Sequence, residues 1–289
     1  MESGRPLAAE RGQRDVRTAV SEIDLKRART EDDALKLMRD ELRTPIAGAT
    51  DLYVALNFGT LQARKFVDIW AIDDLRGFTM RGQTLIIGAL ATYADAINSP
   101  LVAQRLPMLA QAARLVGGPQ IQNRGTIGGN IANGSPAGDT LPIFAATDAF
   151  VVLRKVDGER RVPFNEFYSG YRSTVMQPDE LIVAVEVPVV WGKQWFRKVG
   201  TRAAQAISKI VVAGVRDKVS RIAYGSVAPT VMRPRETERL LANGGSIDDA
   251  AAMLEREITP IDDLRSTADY RRRVSVNLLR RFWSDTGPG

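Results

Sequence analysis

Residues 30–41 carry an apolar stripe at helical spacing, formed by Ala34, Leu35, Leu37 and Met38. Thr30 stands where an N-cap belongs and acids fill the first turn, so this pattern predicts a helix. A short strand is expected to open at residues 23–25. Residues 44–51 read as a loop, an apolar stretch follows to Leu56, and residues 66–69 read as a buried strand. A second strand region covers residues 84–90. Helices are predicted at residues 92–97 and 107–116, the latter with Pro107 at its start. Residues 117–142 are rich in Gly, Asn and Pro and show no period. A stretch of that length inside a domain is expected to be irregular, and either functional or disordered. Strands are predicted at residues 149–155 and 181–187. From Trp191 a third region begins: two strands, 207–215 and 219–227, precede three helices, 235–242, 247–258 and 267–282. Strand clusters mixed with helices, without a repeating β-α-β order, predict an α+β fold.

Composition narrows the chemistry. The 289 residues suffice for two or three compact units. Residues 1–20 are charged and lack a sustained apolar period, so a flexible extension is expected there. Neither a secretory signal nor a membrane span is evident, since apolar runs such as residues 181–185 are far too short to cross a bilayer. A cytoplasmic location is the default expectation. The chain contains no cysteine and no histidine. The first absence excludes disulfides, zinc–thiolate sites, iron–sulfur ligation and thiol nucleophiles. The second removes the Ser-His-Asp triad and the commonest general base. Flavin attachment through His or Cys is excluded too. If the chain is an enzyme, a bound cofactor supplies the chemistry.

The net charge of +6 raises the question of a nucleic-acid partner. The basic residues are scattered, however. Their densest runs, 271–273 and 280–281, fall on a predicted amphipathic helix. They read as a solvated or subunit-facing surface, with phosphate binding as the alternative. No nucleic-acid partner is expected.

Neither a Rossmann GxGxxG fingerprint nor a P-loop is present. Two other glycine segments stand out: Ala47, Gly48, Ala49, Thr50 and Asp51, then Thr126, Ile127, Gly128, Gly129 and Asn130. Glycine permits positive φ and close backbone approach, and successive N–H groups in such a turn can hold a phosphate. Two such segments together could clasp a pyrophosphate, although each alone reads as an ordinary turn. Asp139 reads either as a turn former or as a ligand group. Lys198, after Trp195 and Phe196, reads as a surface lysine on a strand.

The run QIQNRGTIGGNIANGSPAGD at residues 120–139 resembles the second flavin loop of the FAD subunits of molybdenum hydroxylases, the family of xanthine dehydrogenase and carbon monoxide dehydrogenase. The segment at residues 47–51 is similar to their other pyrophosphate loop. Further matches follow in order: FYSGYR at 167–172, PDELI at 178–182, FRKVG at 196–200, and VAP at 227–229 with Glu238 and Leu240 behind it. The resemblance spans residues 22–285. It implies an FAD-binding domain of the vanillyl-alcohol-oxidase-like type at residues 21–188, with subdomains at 21–75 and 76–188. A smaller α+β C-terminal domain at 189–289 would follow. It further implies that Ile46, Ala47, Gly48, Ala49, Thr50, Asp51 and Leu52 form one pyrophosphate loop. Gly125, Thr126, Gly128, Gly129 and Asn130 would form the other, with Val116 beside the cofactor. Ser135 and Asp139 would lie along the ribityl–pyrophosphate chain, Ile182 at the ring or adenine, and Lys198 near the flavin. One departure stands out: Ala49 replaces a glycine that many relatives carry, which would be strained if the position needs positive φ.

The activity implied by the resemblance is electron relay. A large molybdenum-cofactor subunit would oxidise the substrate, and a small 2Fe–2S subunit would pass electrons to FAD, held non-covalently in this chain. NAD or a quinone would take them onward. The expected assembly is a dimer of heterotrimers. No iron–sulfur cluster is expected in this chain, because the cysteines that some relatives carry here are absent. Two rivals remain at this stage: a stand-alone flavin oxidoreductase, and a basic binding module that has lost its flavin.

Overall fold

The computed structural model describes residues 22–287, so the extension expected at residues 1–20 lies outside the described residues. The chain opens with strand β1 (Asp24–Arg27), helix α1 (Glu31–Glu41), strand β2 (Thr44–Ile46), helix α2 (Leu52–Asn57) and strand β3 (Lys65–Asp68). Strands β1 and β2 pair in parallel on either side of β3. Thr30 caps α1 as its side chain predicts, its Oγ1 accepting from the Asp33 N–H at 3.1 Å. Ala34, Leu35 and Met38 are buried beneath it, in one cluster with Val67 and Ile69.

Strands β4 (Phe78–Arg81) and β5 (Thr84–Gly88) lead into six short helices: α3 (Tyr93–Asn98), α4 (Pro100–Arg105), α5 (Pro107–Ala113), α6 (Pro119–Arg124), α7 (Ile127–Asn133) and α8 (Leu141–Ala146). Then come β6 (Phe150–Lys155), β7 (Gly158–Pro163), a small hairpin of β8 (Tyr168–Gly170) and β9 (Ser173–Thr174), and β10 (Leu181–Pro188). The order β4-β5-β10-β6-β7 makes an antiparallel sheet whose inner strands are covered on both faces. Successive strand residues point to opposite sides. Val151 and Leu153 accordingly pack with the helices, whereas Val152 packs with α1 and β3. In β10 the alternation slips. Leu181 and Val183 join the α1 side, yet Val185 and Val187 join the helix side. The cause is a bulge between Ile182 and Ala184, which adds one residue and reverses the parity.

The third region forms an antiparallel sheet of β11 (Lys193–Val199), β12 (Ile210–Arg216) and β13 (Arg221–Gly225), followed by α9 (Arg235–Ala242), α10 (Ile247–Glu257) and α11 (Ala268–Thr286). Its two faces again divide. Val211, Ala213 and Val215 join the core of the preceding helices, while Ile210, Val212 and Tyr224 pack with the last three helices. The whole is α+β, with the helices α3–α8 filling the space between two antiparallel sheets.

Several expectations are corrected. Residues 117–142 are not an irregular segment: they hold α6, α7 and the start of α8. Gly, Asn and Pro are weak helix formers, but each of these helices is only six or seven residues long and has Pro or Thr at its start. Packing rather than propensity sustains them. Gly128 and Gly129 are therefore helical, without the positive φ expected of a turn. Residues 44–46 belong to β2 and not to a loop. The third-region strands begin at Ile210 and Arg221, later than the apolar pattern suggests. Strands β4, β7, β8 and β9 and helix α4 were not anticipated, and β11 only through the reading of Lys198 as a strand residue. Arg271 is no surface residue either. It is buried, pairs with Asp263 at 2.8 Å and donates to the Ser226 carbonyl at 3.1 Å.

Candidate cofactor cleft

A cleft of about 700 Å³ lies between the first parallel sheet and the helices that follow β5, a volume in the range of cofactor sites. Both glycine segments line it. The first joins β2 to α2. Ala49 adopts φ +60° there, and the backbone N–H groups of residues 48–52 find no acceptor among the described residues. Five consecutive amides without acceptors beside a left-handed residue make an anion cradle. Gly48 allows this segment to sit where it does: an added Cβ would lie 1.6 Å from the Arg124 carbonyl oxygen. The two segments thus meet backbone to backbone.

The second segment works differently. Thr126 caps α7, its Oγ1 accepting from the Gly129 N–H at 3.0 Å. The Ile127 and Gly128 amides donate to the Ala91 and Ala89 carbonyls at 2.9 and 2.8 Å, and Asn130 donates to Thr126 at 3.0 Å. All four first-turn amides are thereby consumed within the protein. What this segment offers the cleft is room and side chains. Gly128 lies flush against Ala89, whereas a Cβ on Gly129 would meet only the Thr126 hydroxyl within 4 Å. Thr140 donates to the Asn130 side-chain oxygen at 2.7 Å, and Arg172 to that of Asn133 at 2.8 Å. Both carboxamides are so oriented that their NH₂ groups remain available as donors.

Charge around the cleft is already compensated. Arg43 is the one basic residue in its described lining. Its guanidinium is buried and bonded to the carboxylates of Asp24 and Glu41 and to the carbonyls of Asp24 and Phe66. These partners hold the Arg43 pKa above its ordinary value. Glu180 is met by Arg160 through bonds of 2.6 and 2.8 Å. Among the described residues of the lining, an anion would thus be held by amides, hydroxyls and carboxamides, with no free cation.

Of the residues expected at the site, Ala47 to Leu52, Val116, Gly125, Thr126, Gly128, Gly129, Asn130 and Ile182 line this cleft together. Ile46, Ser135, Asp139 and Lys198 do not. Ile46 pairs with Asp68 in the sheet. Lys198 is not on the surface: its ammonium donates to Asp139 at 2.6 Å and to the Leu115 carbonyl at 2.9 Å, with side chains only 7% and 9% exposed. Ser208 donates to the other Asp139 oxygen. Burial pushes the Asp139 carboxyl up, and the neighbouring ammonium and hydroxyl act the other way. The pair backs the wall that carries Val116. Tyr93, Asn133 and Glu180 also line the cleft and were not anticipated. Asn133 and Glu180 lie in the matched runs 120–139 and 178–182, which could have pointed to them, whereas nothing in its local pattern marks Tyr93.

Comparison with known proteins follows this geometry closely. Residues 21–190 match the FAD-binding domain in molybdopterin dehydrogenase, and residues 195–286 match the CO dehydrogenase flavoprotein C-terminal domain. The chain belongs to the FAD-binding subunits of molybdenum hydroxylases. It is 36% identical over 249 residues to the carbon monoxide dehydrogenase medium chain of Hydrogenophaga pseudoflava, covering 82% of this chain and 86% of that one. It is 31% identical to the glyceraldehyde dehydrogenase medium chain of Sulfolobus acidocaldarius, covering 91% of this chain and 98% of that one. A solved carbon monoxide dehydrogenase from Hydrogenophaga pseudoflava superposes with a TM-score of 0.84 at 30% identity, covering 90% of this chain and 95% of that one.

The residues of this FAD subunit fit a dinucleotide on physical grounds. The cleft joins a cradle of free amides to an apolar stretch formed by Ala89, Leu90, Leu181 and Ile182. Ala49 is an unfavourable element, since a left-handed backbone costs an L-residue about 1–2 kcal/mol. Ala49→Gly removes that strain but adds freedom to the unfolded chain. A net stabilisation of about 1 kcal/mol is expected, measured by chemical denaturation of the flavin-free chain. A destabilised variant would show that the strain lies elsewhere.

Proposed function

We propose that this subunit holds FAD non-covalently in the cleft and relays electrons from a 2Fe–2S partner subunit to NAD or another acceptor. A third chain, the molybdenum-cofactor subunit, oxidises the substrate. The observation that carries the binding reading is the run of five amides at residues 48–52, without an acceptor among the described residues, in a cleft whose described lining has no free cation. In this reading the amides take the pyrophosphate. Asn130 and Asn133 supply neutral donors beside it, and Ile182 with Leu181 covers the apolar end. FAD, when bound, can take electrons singly and release them as a pair, which suits a relay between one-electron and two-electron partners. The chain itself has no cysteine or histidine, and no group of three acids that could hold a metal occurs among the described residues. Oxidation of the organic substrate is therefore assigned to partner chains.

Relatives named for carbon monoxide and for glyceraldehyde both resemble this chain over most of its length. This supports a division of labour in which the substrate is chosen by another subunit. No helix among the described residues is long and apolar enough to cross a membrane. The assembly we envisage is a cytoplasmic dimer of heterotrimers. The purified chain is expected to carry about one FAD, released entirely to the supernatant on acid precipitation. Mixing it with its molybdenum and 2Fe–2S partners should restore substrate-dependent bleaching of the flavin band. Flavin remaining on the precipitated protein, or full substrate turnover by the lone chain, would overturn the reading.

A further inference from the structure

Tyr93 is the first residue of α3, and its main chain is fastened to the second glycine segment. Its N–H donates to the Gly125 carbonyl at 3.3 Å, and Thr92 bridges Thr126. The ring lies against Gly125, where an added Cβ would fall 2.7 Å from Cε2. The residue is only 4% exposed, and it lines the cleft. Yet its hydroxyl has no hydrogen-bond partner among the described residues, nor is it one of the enclosed polar atoms left without one. What little of this side chain remains open therefore includes the hydroxyl, at the cleft surface. The contrast with the other packed tyrosines is plain. Tyr168 donates to the Ile131 carbonyl at 2.9 Å and Tyr224 to the Ser275 carbonyl at 3.4 Å. A phenol packed this deeply normally finds a partner.

We propose that Tyr93 donates a hydrogen bond from its phenol to a pyrophosphate oxygen of the bound FAD. The inference rests on the cofactor reading above and adds a residue that neither glycine segment contains. Three observations favour a phosphate oxygen. The ring packs on Gly125, directly after Arg124, whose carbonyl meets Gly48; the phenol thus sits where the two segments converge. Burial raises the phenol's pKa, and the Asp139 and Asp51 carboxylates raise it further, so the group remains a neutral donor. The described lining of the cleft has no free cation to serve instead, and phosphate oxygens only accept.

The test uses the full-length, flavin-free chain and its Tyr93→Phe variant, titrated with FAD by flavin fluorescence and with ADP by calorimetry. The variant should bind both about tenfold more weakly, the loss expected for one hydrogen bond to a charged acceptor. Its melting temperature without ligand should be unchanged, because the hydroxyl has no partner to lose among the described residues, while the rise produced by FAD should shrink. Equal FAD affinity in the two proteins would overturn the proposal. Weakened FAD binding with unchanged ADP binding would overturn the pyrophosphate assignment. A lower melting temperature without ligand would mark Tyr93 as structural. A wild-type chain that fails to bind FAD at all would overturn the cofactor reading itself, an outcome distinct from the other three.

Discussion

Gly48→Val is expected to yield a folded but colourless protein. The valine Cβ would lie 1.6 Å from the Arg124 carbonyl oxygen and 2.5 Å from its carbon, so one backbone must move away from the other. Arg124 resists moving. Its guanidinium stacks over Trp70 at 3.8 Å, where Arg76 also stacks at 4.5 Å, and the Gly125 N–H behind it is tied to the Ile121 carbonyl. The segment at residues 47–52 must therefore lift. Overpacking of this kind costs about 1–3 kcal/mol in stability. The larger effect falls on binding, because all five free amides move together away from Gly125 and Asn130. A loss of about 3 kcal/mol or more, over a hundredfold in affinity, is expected. The ratio of flavin to protein absorbance, with circular dichroism as a control for folding, measures it. Near-normal flavin content in a folded variant would remove this segment from the site.

The second large effect concerns the buried pair of Asp139 and Lys198. Asp139 precedes α8 in the middle of the molecule, whereas Lys198 and Ser208 come from the third region, so the contact ties two parts of the chain together. Asp139→Ala leaves an ammonium buried against the Leu115 carbonyl with no counter-charge. Breaking such a pair from one side costs about 3–5 kcal/mol. Lys198→Met should cost less, because burial already pushes the Asp139 carboxyl up and the carboxyl can take a proton instead. The double variant should recover most of the loss, since both charges are then gone. Urea unfolding of the four proteins measures the set. If Asp139→Ala costs under about 1 kcal/mol, the pair does not hold the third region in place.

Much of the fold was visible in the sequence, and the misses share a cause. Helix α9 runs Arg235–Ala242, as its pattern predicts, and α1 follows its cap and stripe. Each announces itself within one or two turns. Strand β7 does not. It carries Arg160 and Arg161, buries only Val162 well and lies at the sheet's edge, where charge protects against further pairing. Its pairing with β6 makes it a strand, and its own residues carry no apolar run. Strand β10 shows the same limit from inside a sheet. Its apolar run is obvious, but the bulge that sends Val183 to one side and Val185 to the other depends on registration with β6.

The cofactor site divides in the same way. Residue types alone excluded thiol, imidazole and metal-cluster chemistry, marked two glycine segments, and carried enough order in their motifs to identify the family. These are properties of composition and of short runs, and they survive without a fold. Which amides stay free was beyond them. The first segment keeps five donors open and the second spends its own on Ala89, Ala91 and Thr126, an exchange that depends on where β5 ends. Lys198 looks like a surface residue until Asp139, 59 positions away, and the Leu115 carbonyl, 83 positions away, close around it. Local periodicity tells a side chain which way to face. The partner that satisfies a buried polar atom comes from distant chain, and only the folded packing brings the two within hydrogen-bond reach.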